Sequence, residues 1–445
     1  MRRLFVWLHR YIGLALAGFL LVEGLSGALL AFEGEIGDAL DPRLVARKPS
    51  PDARKLSLAE LALRAEALEP TEHVAYFADY SDARATMRMW GRNNPETGGR
   101  YPDIPLHVVL DPWTGKRLAE QEPSTGRARF FAATMPFVRD VHVALTFGAT
   151  GEYVLLAVAL LWTIDCFVGI YLTLPITIKK FWERWKPAWL IKRRGGLYRV
   201  NFDLHRAGGL WFWTILLVFA WSSVLLVDRI GVYDWVMVRI TNYHGDEPVM
   251  ATIFADRSRD APFELDWLQA QATGEKLVAE RAARRGFRAL EPQSLNRLEQ
   301  QRLYVYTVLT DRSFPQERSE AVFFDADTGA SRDNEGERDT VAWGDTLTFW
   351  LRALHTARDP IDYLLYRVFL VPVGLVLAML SATGVYIWWK KRRARMNSRR
   401  GAAGVSPSRI SLSWRSVASV ARSPATTSTK RPQQSRGGDI EPRNH

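Results

Sequence analysis

Four histidines occupy matching places in the two halves of the chain, and imidazole is a ligand for transition metals. The string Leu-His-Arg-x-x-Gly-Leu surrounds His9 and recurs around His205. A second pair, His142 and His355, lies three residues after an arginine in each half. Two neutral imidazoles are a common way to hold haem iron. The pattern therefore indicates two histidines per half that are suited to metal chemistry.

Each of these histidines stands near an apolar run, and four such runs are long enough to cross a bilayer. The runs cover residues 11–32, 153–174, 207–227 and 366–389. The first is too long for a secretory signal and lacks a clear Ala-x-Ala cleavage site, so we expect an uncleaved anchor. Ionisable side chains next to a bilayer are costly and usually functional.

The basic residues define an orientation for these spans. The net charge is +11, and eight Lys or Arg lie within residues 175–199, between the second and third runs, with seven more directly after the fourth. This is the positive-inside pattern, which argues against a nucleic-acid partner. Both termini are then cytoplasmic, in a multi-pass protein of the bacterial inner membrane. The two long connections face the periplasm.

The periplasmic segments resemble one another. Asp111 and Asp325 each follow an apolar strand and begin an Asp-x-x-Thr-Gly turn. A helical pattern precedes each strand, over residues 56–68 and from 265 to about 285. The interval from Asp111 to Asp325 is 214 residues, and that from His142 to His355 is 213. We therefore expect an internal duplication, with one small α+β domain per half.

These observations predict a membrane α-helical fold, a four-helix transmembrane bundle with two periplasmic α+β domains. The segments are transmembrane helix 1 over 1–32, the first domain over 33–135, a periplasmic lead-in and helix 2 over 136–174, a basic cytoplasmic loop over 175–199, helix 3 over 200–227, the second domain over 228–345, a lead-in and helix 4 over 346–389, and a disordered basic tail over 390–445.

Repeated motifs carry a resemblance to a known family. They are the Leu-His-Arg-x-x-Gly-Leu openings, the Asp-x-x-Thr-Gly turns, and Gly-Ile-Tyr-Leu at 169–172 echoed by Gly-Val-Tyr-Ile at 384–387. Over residues 1 to about 395 the chain resembles the PepSY-associated transmembrane family, which includes iron-regulated membrane proteins and FoxB-like ferri-siderophore reductases. The resemblance implies PepSY-like periplasmic domains, haem b in the membrane and electron delivery to external ferric chelates.

The orientation restricts which histidines can meet. His9 and His205 begin outward-running helices and lie at the cytoplasmic boundary, whereas His142 and His355 lie at the outer side. Each pairing takes one member from each half, as expected for ligands that face each other across a bundle. Two axial imidazoles leave no open position on iron, which favours electron transfer. We expect two bis-histidine haems b; a histidine taken singly also suits a plain interfacial role.

Spacing limits this hypothesis. His142 and His355 precede their apolar stretches by about ten residues, or about 15 Å of helix. The outer haem would then ride at or above the interface, unless the segment 148–151 breaks the helix and folds His142 back. The separation of His9 and Phe32 on the same rule is about 34 Å. Trp and Tyr side chains are candidates for a relay across that gap.

Other charged residues accompany the four histidines. Arg10 and Arg206 directly follow the inner histidines and could bind haem propionates bidentately, or serve only as inside-flanking charges. Glu23 and Asp165 lie within spans and should face the bundle interior. Cys166 is interpreted as a small apolar residue. Three arginines could act near the outer site, on propionates or on an anionic chelate: Arg139, Arg352 and Arg358.

The chain contains no Gly-x-Gly-x-x-Gly opening a βαβ unit and no P-loop, so it brings no nucleotide domain of its own. A reductase of this kind takes electrons from a membrane quinol or a cytoplasmic partner reductase. The leading hypothesis is a di-haem inner-membrane reductase that delivers electrons to a ferric siderophore or another ferric chelate. The alternative is a haem-free, membrane-anchored PepSY module for peptidase inhibition or envelope sensing. A transporter suits four spans less well.

Overall fold

The fold is known from a computed structural model of the 445-residue chain. It describes residues 1–92, 94, 96, 99, 101, 106–118, 125–192, 194–243, 262–312, 318–332, 342–357 and 364–403. The chain divides into two compact units, residues 1–390 and 391–445. Of the predicted disordered tail, residues 390–403 are instead helical, since Lys, Arg, Met and Ala favour helix. The rest of the tail lies outside the described residues.

Three helices among the described residues are long and apolar enough to cross a membrane. They are α1 (Arg2–Leu30), α5 (Gly148–Thr173) and α12 (Leu364–Ala403). The linking elements are α2 (Glu33–Leu40), α6 (Phe181–Trp185), α9 (Val232–Ile240) and two short 3-10 helices, Pro42–Leu44 and Lys186–Trp189. Three of the four apolar runs of the sequence therefore lie in long helices, as predicted.

The third predicted span, residues 200–227, is not one straight helix. It consists of α7 (Leu197–Trp211) and α8 (Trp213–Val227), which meet at an angle of 69°. α8 is apolar on all sides, but α7 is amphipathic and carries the buried Asp203 between Arg199 and Arg206. Charged side chains are costly in hydrocarbon, whereas α8 is suited to it. The bend is consistent with this difference, because it lets α7 leave the direction of α8. By length and composition, the part of the chain that the structure describes offers three possible spans, or four if the bent pair counts as one.

The lead-in to the second span also turns sharply. α4 (Gly126–Ala144) ends at Leu145 and Thr146, which both have positive φ, and α5 follows after Phe147. Any side chain at Gly151 would overlap the Ala144 carbonyl, so the two helices are pressed together at this turn. In the second half, α11 (Trp343–Thr356) ends at Ala357, again with positive φ. α4 thus folds back alongside α1 and α5 instead of extending the span outward.

Each predicted α+β domain contains a helix that packs against a three-stranded antiparallel sheet. The first comprises α3 (Leu58–Leu68), β1 (Glu72–Tyr80), β2 (Ala85–Gly91) and β3 (Leu106–Leu110). The second comprises α10 (Trp267–Arg285), β4 (Ala289–Leu298), β5 (Leu303–Thr310) and β6 (Ser319–Asp325). Ser57 and Asp266 begin the two helices, each in a reciprocal capping box.

The two predicted turns are confirmed. Asp325 Oδ1 accepts hydrogen bonds from the backbone N–H groups of Asp327 and Thr328, and Gly329 has φ +71°. Asp111 and Gly115 form the same turn in the first domain. Arg332 forms an ion pair with Asp325. Burial raises the pKa of Asp325, but the hydrogen bonds from Arg332 and the turn outweigh it and lower the pKa to about 2.

The two domains share one hydrophobic core. Buried apolar side chains of α3 and its sheet form a single cluster with those of α10 and its sheet. Polar contacts cross the same boundary: Trp267 donates from Nε1 to Glu66 over 3.0 Å, and Gln271 accepts from the Ala59 N–H at the start of α3 over 2.9 Å. The domains, expected as two units, therefore fold as one body.

The first and last spans cross at two glycines. A Cβ at Gly24 of α1 would stand 2.8 Å from the Gly374 carbonyl oxygen of α12, and one at Gly374 would overlap the Gly24 carbonyl. Glycine permits this approach because it carries no side chain, as at small-residue contacts between membrane helices. α2 adds three ion pairs beyond the crossing: Glu33 with Arg139, Glu35 with Arg367, and Asp38 with Arg84.

Substitution of Gly24 tests the crossing. We expect Gly24→Val to lower the thermal unfolding midpoint of the detergent-purified protein, because its side chain must push α1 and α12 apart. Overpacking of this kind costs about 1–3 kcal/mol. Gly18→Val is the matched control, since nothing lies within 4 Å of a Cβ at Gly18. Equal midpoints for the two variants would contradict the close crossing.

Replacement of Asp325 tests the second turn. A carboxyl whose pKa is lowered on folding stabilises the protein above its unfolded pKa of about 3.9, and that stability is lost as the pH falls towards the folded value. We expect Asp325→Ala to cost about 1–3 kcal/mol at pH 7, because the N–H groups of the turn and Arg332 lose a charged acceptor. The penalty should shrink between pH 4 and pH 2 in thermal melts. Asp52→Ala, at an exposed site, should change neither quantity.

Candidate functional site

The structure brings the four repeated histidines together as two pairs. The rings of His9 on α1 and His205 on α7 have centroids 6.0 Å apart, with a 53° angle between their planes. Those of His142 on α4 and His355 on α11 lie 6.4 Å apart, at 56°. Each pair joins one histidine from each half of the chain. The sequence paired the same residues from the orientation of the spans.

His9 and His205 form the inner pair, and the first of them is held by a carboxylate. His9 donates from Nδ1 to Oδ1 of Asp165 on α5 over 2.9 Å. Asp165 is largely buried, with 13% of its side chain exposed. Gly169, one helical turn further along α5, lies beside the His9 ring, with 3.7 Å between its ideal Cβ position and His9 Cε1. Asp165 thus faces the bundle interior, as predicted for an acid within a span.

Its partner is held by neutral acceptors. His205 Nδ1 lies 3.0 Å from the Leu380 carbonyl oxygen and 3.1 Å from Oγ1 of Thr383, both on α12. Gly384 lies beside this ring as Gly169 lies beside His9, with 3.2 Å between its ideal Cβ position and His205 Cε1. Gly169 and Gly384 come from the two Gly-x-Tyr-x motifs. The motif glycine therefore makes room for an imidazole in each half.

The outer pair, His142 and His355, is held by side chains of α1 and α8 in the same manner. His142 Nδ1 lies 2.9 Å from Oγ of Ser26 and 2.9 Å from Oε2 of Glu23, both on α1. Its ring covers Gly27, where a Cβ would come within 3.0 Å of Cε1. His355 Nδ1 lies 2.8 Å from Oγ of Ser222 on α8.

Ser26 and Ser222 were not singled out from the sequence, although a signal was present. They are 196 residues apart, the same interval as between His9 and His205. The residue one turn before each serine differs, however. It is Glu23 in the first half and Phe219 in the second, whose ring centroid lies 5.1 Å from that of His355. Applying the histidine interval to every polar residue of the spans would have found the serine pair.

These contacts fix the same tautomer on all four rings. A carboxylate and a backbone carbonyl only accept, so His9 and His205 carry their hydrogen on Nδ1. The Ser26 and Ser222 hydroxyls each donate to a backbone carbonyl of their own helix and are left to accept from His142 and His355. In the described part of the chain, all hydrogen bonds of the four rings are made through Nδ1. Each Nε2 keeps its lone pair for a metal.

The spacing of each pair fits a metal ion between two Nε2 atoms. A metal–imidazole bond is about 2 Å, so two rings on opposite sides of one ion have centroids about 6 Å apart. The observed separations of 6.0 and 6.4 Å match that span. Haem iron needs only two ligands from the protein, because the porphyrin supplies the others. The residues present therefore fit a bis-imidazole haem at each pair.

The fold-back of α4 corrects the expected depth of the outer pair. His142 does not lie about 15 Å above the apolar stretch. Its ring instead contacts Ser26 and Gly27, which lie within the length of α1. The turn at residues 145–148 is the physical cause, and the segment 148–151 was its signal. Along α1, His9 and Ser26 are separated by about 26 Å, shorter than the predicted 34 Å.

An apolar cluster fills the bundle between the pairs. Cys166, Leu216, Ala220 and Leu377 are buried there, with Trp162, Trp213 and Phe212 packed against them. Trp213 donates from Nε1 to the Cys166 carbonyl over 2.9 Å. Cys166 is a buried free thiol within this packing, in line with its interpretation as a small apolar residue. Trp162 and Trp213 are the tryptophans that the structure places between the two pairs.

The two arginines next to the inner histidines differ in their surroundings. Arg206 donates to the Pro187 and Ala188 carbonyls and, over 2.8 Å, to Asp203. Arg10 lines an open cavity of about 440 Å³ together with Arg2 and Trp7. Arg10 thus faces open space, whereas the Arg206 guanidinium is held by protein acceptors. Their role toward propionates stays a prediction.

The arginines near the outer pair are partly engaged. Arg139 pairs with Glu33, and Arg352 is exposed. Arg358 lies outside the described residues, as do His244 and His445. Of the remaining histidines, His73 is buried in the first domain and lies 2.9 Å from Glu299 of the second. His73 therefore takes part in the contact between the two domains.

Comparison with known proteins identifies the family. The chain matches no curated protein. The family model described as the PepSY-associated TM region matches residues 6–402, which include both histidine pairs, both α+β domains and all helices named above except the first four residues of α1 and the last residue of α12. With its apolar helices and small antiparallel sheets, this membrane protein belongs to the PepSY-associated transmembrane family.

Proposed function

We propose that this protein is a di-haem membrane reductase that delivers electrons to a ferric chelate outside the cell membrane. The observation that carries the proposal is the set of four histidines in two pairs, each ring hydrogen-bonded through Nδ1 and spaced for one metal ion. An interfacial histidine needs neither a partner ring nor a fixed tautomer. Two such pairs support a redox function.

Haem b at these sites would supply one-electron reduction and reoxidation of iron. His9 and His205 would hold the inner group, and His142 and His355 would hold the outer one. Two histidines at each site would leave the iron for electron transfer rather than for binding of substrate. Asp165, Thr383, Ser26 and Ser222 keep the imidazoles oriented, a role that outer partners of metal-bound histidines commonly play.

The two pairs support electron transfer across the bilayer. They lie about 26 Å apart along α1, close to the thickness of the hydrocarbon core of about 30 Å. In this proposal four spans from an internal duplication lie in the bacterial inner membrane, with both termini cytoplasmic. The inner pair receives electrons from a quinol or a cytoplasmic reductase, and the apolar cluster around Trp162 separates the pairs.

The acceptor at the outer pair is proposed to be a ferric siderophore or similar ferric chelate. One electron converts its Fe(III) to Fe(II), a softer ion for which hard oxygen ligands have lower affinity, and the chelate then releases the metal for uptake. Arg352 is exposed three residues before His355 on α11 and is available to attract an anionic chelate. A haem-free binding or regulatory module remains the alternative outcome of the tests below.

Single histidine substitutions test the pairing. We expect the purified protein to show a haem Soret band and two haems per chain. His9→Ala and His205→Ala should each remove the same haem and leave about half of the haem content. His142→Ala and His355→Ala should remove the other. Pyridine haemochrome assays and reduced-minus-oxidised spectra measure both quantities, and the intact pair serves as the internal control for each variant.

Two outcomes would contradict this assignment. A wild-type protein without a Soret band favours the haem-free module. A haem content that stays constant through all four alanine variants places the cofactor elsewhere. Ser223→Ala, whose hydroxyl donates to the Phe219 carbonyl, should keep both haems and controls for general effects of a substitution within the helices.

Reoxidation tests the acceptor. We expect the dithionite-reduced protein in nanodiscs to be reoxidised by added ferric siderophore under anaerobic conditions, with formation of an Fe(II)–ferrozine complex. His142→Ala should slow this reaction by at least tenfold, because the outer haem is absent. Reoxidation at the same rate in wild type and His142→Ala would exclude the outer pair as the exit point for electrons.

A further inference from the structure

Each histidine pair contains one carboxylate, and both carboxylates belong to the first half of the chain. Asp165 accepts from His9, and Glu23 lies 2.9 Å from Nδ1 of His142. Both acids lie in the membrane-spanning helices α5 and α1. A carboxylate there is costly unless a positive charge accompanies it.

The second half has no acid at the matching positions. Two intervals relate the halves: 215 residues between the motif glycines Gly169 and Gly384, and 196 residues between Ser26 and Ser222. The first interval carries Asp165 onto Leu380, whose backbone carbonyl holds His205. The second carries Glu23 onto Phe219, which contacts the His355 ring. Each pair therefore combines one carboxylate-bound imidazole with one held by a neutral acceptor.

Glu23 shows that the protein alone does not satisfy this acid. Its Oε1 atom is buried and has no hydrogen-bond partner among the described residues. Oε2 meets only an imidazole, which is neutral when its Nε2 is free to bind a metal. An orphaned carboxylate oxygen inside a span indicates a positive charge that the polypeptide does not provide.

A ferric porphyrin core supplies such a charge. Fe(III) between the dianionic porphyrin ring and two neutral imidazoles leaves one net positive charge, which disappears when the iron is reduced. The ion's own charge dominates the local electrostatics at such a site. One carboxylate neutralises the ferric state; two would leave a negative excess in low dielectric, and none would leave the positive charge unbalanced.

We propose that Asp165 and Glu23 are positioning residues that act as the counter-charges of the inner and outer ferric haems. The inference rests on the proposed function, since it assumes haem at both pairs. Each carboxylate stabilises the ferric state and makes its imidazole the stronger donor of the pair. Both haems are thereby held at a lower potential, which suits delivery of electrons to tightly chelated ferric iron.

Isosteric amides test this assignment. Asp165→Asn and Glu23→Gln keep an acceptor oxygen for Nδ1 but remove the charge. In spectroelectrochemical titrations of the haem-loaded protein, each should raise the midpoint potential of one haem. We expect at least a tenfold higher ferrous-to-ferric ratio at fixed potential, equivalent to about 59 mV. The other haem should shift several-fold less, because Coulomb energy falls inversely with distance.

Charge-conserving and neutral-acceptor variants are the controls. Asp165→Glu and Glu23→Asp retain the charge and should stay nearer the wild-type potential than the amides. Thr383→Val and Ser222→Ala remove neutral acceptors in the second half and should shift the potentials less than the amides do. Phe219→Glu adds a second acid to the outer pair and should lower its potential, which tests the idea even where Glu23→Gln does not fold.

The outcomes separate this inference from the proposed function. Low-spin bis-imidazole spectra in all variants show that the four histidines still hold the iron. If those spectra persist while the amide variants leave both potentials at the wild-type values, the counter-charge assignment is wrong and the di-haem proposal stands. If the wild-type protein contains no haem, the proposed function itself fails.

Discussion

The arrangement of this protein depends on one requirement, that the Nδ1–H of each paired imidazole finds an acceptor on another helix. His9 reaches α5, His205 reaches α12, His142 reaches α1 and His355 reaches α8. An unsatisfied donor in an apolar interior costs several kcal/mol, so these bonds determine which helices are neighbours. They also leave Nε2 of every ring available. The same four contacts thus specify the packing of the bundle and the chemistry of its sites.

The breaks in the helices follow from this requirement. α4 turns back at residues 145–148, which brings His142 down to Ser26, and α7 bends away from α8 at Phe212. Straight spans would have left His142 well above its acceptor. Glycines complete the arrangement: Gly169, Gly384 and Gly27 each leave room for an imidazole. The breaks in the helices and these glycines together allow the four rings to occupy their positions.

Much of this site could be predicted from the sequence, because the same motif occurs in both halves and each copy indicates which residues of the other to consider. The spacing of the apolar runs gave the spans, and orientation alone paired His9 with His205 and His142 with His355. The Asp-x-x-Thr-Gly turns were equally legible, since Asp and Gly have local backbone reasons for their positions. The bend at Phe212 and the partners Ser26 and Thr383 were missed. They depend on contacts between distant segments, which local patterns do not encode.

The shared core of the two α+β domains has a consequence for biogenesis. Side chains of α3 and its sheet are buried against α10 and its sheet, which are synthesised about two hundred residues later. At about 5–20 residues per second, the first domain waits roughly 10–40 s for the surface that covers it. During that interval its apolar face is exposed, a natural target for a holding chaperone. A chain truncated before residue 267 would keep that face open permanently, so quality control should remove half-length products rather than let them accumulate.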